Sequence, residues 1–238
     1  MLIAFVDETS DKECPDYFGL CVATVNAVHY RGIKASFQKI LLDDGWNPEI
    51  EFKGSYLFSA KKGCLEVPVE KRVRIASEIL KLTASSKNTK MKFFYLRVKT
   101  TEHTGTYLDY LPSLLKKALP LATKKGGKDL LNIHCDYRND ISAKAIRDVV
   151  LSVVCERGYT LFEDINVSRS GFHTVGILYA DIVAYLQGRI DIISTDSDLF
   201  ENITEEDYER HGRLKKLRSS RELIAHVRNI NRYVTRTT

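Results

Sequence analysis

Three aspartates stand where a folding chain has little reason to place a charge. Asp7 ends the apolar run Leu2-Ile3-Ala4-Phe5-Val6, and Asp136 ends Leu130-Leu131-Asn132-Ile133-His134-Cys135. Asp181 is the one acid between His173 and Arg189, and its helical neighbours three and four residues away are Ile177, Leu178, Ala184 and Tyr185. Burying a lone carboxylate costs several kcal/mol unless a cation pairs with it. An arginine partner would satisfy Asp181, and aspartate at a strand end is also an ordinary turn former. A divalent metal shared among the three is the other solution. Phosphodiester hydrolysis would use that arrangement, since it needs hydroxide near neutral pH and neutralisation of an anionic transition state. Two divalent ions roughly 3.5–4 Å apart supply both. Carboxylate oxygens select Mg2+ or Mn2+.

The elements that must position these acids can be read from apolar periodicity. Short apolar runs predict strands at residues 2–6, 17–25, 92–98, 130–135 and 159–167. Helical spacing predicts helices at 31–42, 69–83, 106–123, 142–157 and 174–189, with Ser142 as an N-cap and with breaks or kinks at Pro112 and Pro120. The polar stretch 9–16 between the first two strands predicts a hairpin. Residues 49–53 read as a short extended piece, and 55–66 as an irregular loop. Two antiparallel strands followed by alternating strands and helices predict an α/β fold, a mixed sheet flanked by helices. Ligands of such sheets gather at the carboxyl ends of the strands.

The 238 residues, 44% hydrophobic and 28% charged, exclude a disordered chain and a disulfide-stapled miniprotein. The five cysteines are odd in number and lack the close spacing of a zinc knuckle, which predicts reduced thiols in a cytoplasmic protein. No apolar run reaches the length of a membrane span. Charge is unevenly distributed. From Glu209 onward nine bases face two acids, a net +7, which leaves the preceding 208 residues at −2. This divides the chain into a domain over 1–195 and a basic helical extension over 196–238, with a final helix near 220–233. Arg213, Lys215, Lys216, Arg218 and Arg221 are its candidate contacts to nucleic acid. Ile224, Val227 and Ile230 share a helical face there, which would suit a homodimer or a partner protein.

Four stretches together resemble the ribonuclease H-like superfamily, and within it the domain of unknown function 3800 family of bacteria and phages. They are Phe5-Val6-Asp7-Glu8-Thr9, Glu51-Phe52-Lys53-Gly54, His134-Cys135-Asp136 and Gly176-Ile177-Leu178-Tyr179-Ala180-Asp181-Ile182-Val183-Ala184. Thr9 stands where that family usually has serine, and Leu178 where it usually has glutamine. The resemblance implies a ribonuclease H-like sheet and a four-carboxylate site of Asp7, Glu51, Asp136 and Asp181 holding two Mg2+ or Mn2+ ions. It also implies RNA or DNA as substrate and a phage or phage-defence setting. Around the four acids it suggests lesser roles for Glu8, on the opposite strand face from Asp7, for Lys53 as a phosphate contact, and for His173 on the loop before the last core helix. Ser168 and Ser170 lie near a serine common in the family, and no base is evident to make either a nucleophile. Two functions follow as expectations. One is a divalent-metal-dependent nuclease. The other is a non-catalytic ribonuclease H-like module that binds nucleic acid or protein.

Overall fold

The computed structural model describes residues 1–11, 14–58, 68–83, 90–99, 106–123, 129–195 and 234–237. Its elements are β1 (Leu2–Asp11), β2 (Cys14–Asn26), α1 (Ala27–Asp43), α2 (Gly54–Phe58), α3 (Val69–Lys81), β3 (Met91–Lys99), α4 (Tyr107–Ala118), β4 (Leu130–Asp136), α5 (Ala143–Arg157), β5 (Thr160–Leu161), β6 (Asn166–Ser168), α6 (Val175–Thr195) and β7 (Val234–Thr237). They build a mixed sheet in the order β5-β4-β1-β2-β3-β7, with β6 also paired to β4. β2 is antiparallel to β1 and to β3, while β4 is parallel to β1. This is the mixed sheet flanked by helices that the apolar pattern predicts.

The two faces of the sheet follow the period-two alternation of its strands. Ile3, Phe5, Cys21, Ala23, Phe93 and Tyr95 face a core closed by α1, α2, α3 and α6. Ala4, Val6, Leu20, Val22, Leu131, Ile133 and Cys135 face a second core closed by α4 and α5. α6 lies close on β1 because its first turn carries glycine, since a Cβ on Gly176 would sit 2.2–2.3 Å from the Phe5 ring. Capping agrees with the sequence at α5, where the Ser142 hydroxyl accepts from the Ala145 N–H at 3.2 Å. α4 runs on through Pro112 and ends before Pro120.

Several expectations need correction. The stretch read as an irregular loop from 55 begins with the helix α2, and residues 51–53, read as extended, carry no regular structure. The strand expected over 159–167 is split into β5 and β6. Between them Asp164 turns its carboxylate onto the Ile165 N–H (2.8 Å) and onto Arg147 (2.8 Å). α6 runs on to Thr195, past the expected end at 189. β7, which the sequence pattern did not suggest, joins the sheet parallel to β3. The rest of the extension, with Arg213, Lys215, Lys216, Arg218, Arg221 and the expected final helix, lies outside the described residues. No helix among the described residues is long and apolar enough to cross a membrane.

Candidate functional site

The alternation that buries Phe5 on the α6 face puts Asp7 on that face too, two residues further along β1. On β4, Leu131, Ile133 and Cys135 take the opposite face, so His134 and Asp136 face α6. The His134 ring stacks on Phe5 at 5.2 Å. Asp136, the last residue of β4, and Asp7, in the middle of β1 just past its last parallel pair with β4 (Val6 with Cys135), therefore stand on neighbouring strands beneath the helix that carries Asp181. Asp7 is 5% exposed, and its carboxylate accepts the Glu8 N–H at 2.7 Å.

Glu51 reaches the same place by tertiary contact. Gly54 lies so near α6 that an added Cβ would be 2.9 Å from the Ile182 Cα and 3.0 Å from the Tyr185 Cβ. Its N–H donates to Asp181 Oδ2 at 2.5 Å, which ties the segment 51–54 to the helix. Ser170 connects the other two acids. Its N–H donates to Asp136 Oδ1 at 2.9 Å, and its hydroxyl donates to Glu51. Ser170, weighed from the sequence only as a nucleophile without a base, is thus a positioning residue. Its place after the last short strand was the available signal. Lys53 also lies with the acids, its Nζ 3.2 Å from Glu51 Oε2.

Their electrostatics show mutual proximity. Burial raises the Asp7 carboxyl well above its usual range, and the charges of Asp181, Glu8 and Asp136 raise it further. Asp136 is raised by burial, against the opposing N–H donors of Ser170 and Tyr137. Burial lifts Asp181 to about 6, with Asp136 and Glu51 adding to the rise and Gly54 and Lys53 opposing it. The Cys21 thiol, opposite Asp7 on β2, is pushed well above its usual pKa by burial and then by the charges of Asp7 and Asp181.

The remaining expected residues stand apart from this cluster. Glu8 faces the α4 and α5 side, where Oε1 pairs with Arg138 Nη1 at 2.6 Å. Burial lifts it to about 7 against the pull of Arg138. The Nδ1 of His173 lies 3.4 Å from Gln38 Nε2, and its ring packs edge-on to Phe172. Leu178 is fully buried in the core.

No protein-family model and no curated protein matches the sequence. Among solved structures, the chain is similar to ribonuclease H2 from Pyrococcus horikoshii OT3, with 14% identity, 96% of this chain and 99% of that one covered, and a TM-score of 0.46. It is also similar to the PCNA:RNase HII complex from Archaeoglobus fulgidus, with 14% identity, 96% and 91% covered, and a TM-score of 0.46. Likeness at this level says nothing of the chemistry at the acids.

Among the described residues, no three His, Cys, Asp or Glu side chains meet closely enough to form a ready-made metal centre. The donor set nonetheless suits a hard divalent ion. It offers carboxylate oxygens alone, drawn from four parts of the chain, and burial and like charge hold three of them above their usual pKa. A cation drawn between them would relieve that repulsion.

Proposed function

We propose that the chain is a divalent-metal-dependent nuclease of ribonuclease H-like fold that hydrolyses phosphodiester bonds of nucleic acid. The observation that carries this reading is the convergence of Asp7, Glu51, Asp136 and Asp181 between α6 and the sheet, where β4 ends beside the middle of β1. Two Mg2+ or Mn2+ ions held there would supply hydroxide at neutral pH and neutralise charge building on the phosphate. Asp7 and Asp136 would be shared ligands, with Glu51 and Asp181 completing the set. Ser170 would orient Glu51 and Asp136, and Lys53 would meet a phosphate oxygen. The basic residues Arg213, Lys215, Lys216, Arg218 and Arg221 would hold the backbone without regard to sequence. Resemblance to the domain of unknown function 3800 family, and the phage-defence setting it implies, belong to the same proposal. The test is cleavage of single-stranded, double-stranded and hybrid oligonucleotides with Mg2+ or Mn2+ and with EDTA. Asp136→Asn should abolish cleavage while the protein stays folded. Undiminished cleavage by that variant would refute the reading.

A second reading is favoured by Lys53, whose ammonium already places a cation at the acids. On that reading the chain is a non-catalytic binding module. Its binding of nucleic acid would depend on salt and survive both EDTA and Asp136→Asn.

A further inference from the structure

Beside the acids stands an aromatic side chain that packing does not explain. Tyr137 directly follows Asp136 and is 42% exposed, although β4 has just left the core. It is held in place rather than merely projecting. Its N–H donates to the Ser168 carbonyl at 3.0 Å, and the Arg169 guanidinium lies over its ring, 5.6 Å from the centroid. Arg169 is itself exposed and immediately precedes Ser170, the residue that orients Asp136 and Glu51. One short stretch of β6 and its following turn therefore fixes both the carboxylates and the cation under the tyrosine.

From this geometry we infer that Tyr137 and Arg169 form a base-stacking platform for single-stranded nucleic acid, seated next to the phosphate to be cut. This rests on the nuclease reading and names its substrate class. An aromatic ring with a guanidinium over it offers a π-face to any base, and the cation suits the adjoining phosphate. The partner base must be unstacked to lie there, which a single strand permits and a continuous duplex does not. Chemistry at the carboxylates and recognition at the ring would then be separable properties of neighbouring residues.

The full-length chain in EDTA, which prevents metal-dependent cleavage, is titrated with a single-stranded oligonucleotide carrying one 2-aminopurine, and with the same sequence as a duplex. Stacking quenches the 2-aminopurine emission. The wild type and Tyr137→Phe should quench it. Tyr137→Ala should lose the quench and bind the single strand about tenfold more weakly, with duplex binding unchanged. Tyr137→Leu, which keeps bulk without a π-face, should behave as alanine does and guards against a folding defect in the smaller variant. Phe162→Ala serves as the control. It is more exposed than Tyr137, but its N–H donates to the Leu131 carbonyl at the far end of β4, roughly 16 Å of strand from Asp136. Unchanged quench and affinity in folded Tyr137→Ala, or no single-strand binding by the wild type, would overturn the platform. Cleavage by the wild type with Mg2+, scored separately, decides the nuclease reading.

Discussion

Gly54 and Asp181 are joined by a 2.5 Å hydrogen bond from the Gly54 N–H to Asp181 Oδ2, made where the backbone of the 51–54 segment lies directly on α6. The close approach and the bond depend on each other. Gly54→Ala would push a methyl to 2.9 Å from the Ile182 Cα, a backbone atom that cannot rotate away. The expected cost is about 1–3 kcal/mol in chemical denaturation, with loss of metal-dependent cleavage as Glu51 and Lys53 move off the helix.

Asp181 gives the metal-free protein a pH dependence of definite sign. Its carboxyl titrates at about 6 in the fold and near 3.8 outside it, so the folded state holds the proton more tightly. The stabilisation is fully present below about pH 3.8 and is lost as pH rises through about 6. Glu8 acts in the same sense, from 4.5 to about 7. In EDTA, Tm should fall between pH 5 and pH 8, and Asp181→Asn should flatten the fall. An equal slope in both proteins would contradict this assignment.

Ser170→Ala removes a hydroxyl from Glu51 but keeps the N–H that serves Asp136. The fold should be unaffected, while the Mg2+ concentration for half-maximal cleavage should rise about 10- to 100-fold. A matching change in melting temperature without a shift in metal response would mean that the hydroxyl is only structural.

On the other face of the sheet, Glu8 depends on Arg138. One carboxylate oxygen pairs with that guanidinium, and the other is buried without a hydrogen-bond partner among the described residues. Arg138→Ala would strand the carboxylate at a cost of about 3 kcal/mol. Adding Glu8→Gln should restore part of it, so a double-mutant cycle in urea should show coupling between the two.

Gly176 and Gly32 should respond in opposite ways to alanine. At Gly176 the new methyl would enter the Phe5 ring and lift α6 from β1, costing about 1–3 kcal/mol. At Gly32, inside α1, nothing lies within 4 Å of it, and the helix should gain about 0.5–1 kcal/mol. Thermal denaturation of the two variants reads the difference.

What the sequence made legible was whatever depends on local periodicity. Alternation along residues 2–6 determines that Asp7 and Glu8 take opposite faces, and the apolar helical neighbours of Asp181 mark it as turned toward the core. The position of Glu51 was not legible that way. Residues 51–53 have no regular structure, and their place is set by a glycine resting on α6 and by a hydroxyl 119 residues away. The split between β5 and β6 falls where the Asp164 carboxylate accepts from the Ile165 N–H and meets Arg147, contacts that no apolar pattern encodes. β7 is a four-residue strand whose pairing with β3 is entirely long-range.

That last strand changes how the basic stretch has to be studied. Val234–Thr237 hydrogen-bonds alongside Phe93–Leu96, so the basic stretch is followed in the chain by a strand of the sheet. A stop codon placed ahead of the arginines would also strip a neighbour from β3 and uncover a raw sheet edge prone to self-association. Charge-reversing substitutions that leave the terminus in place are the cleaner way to ask what those cations hold.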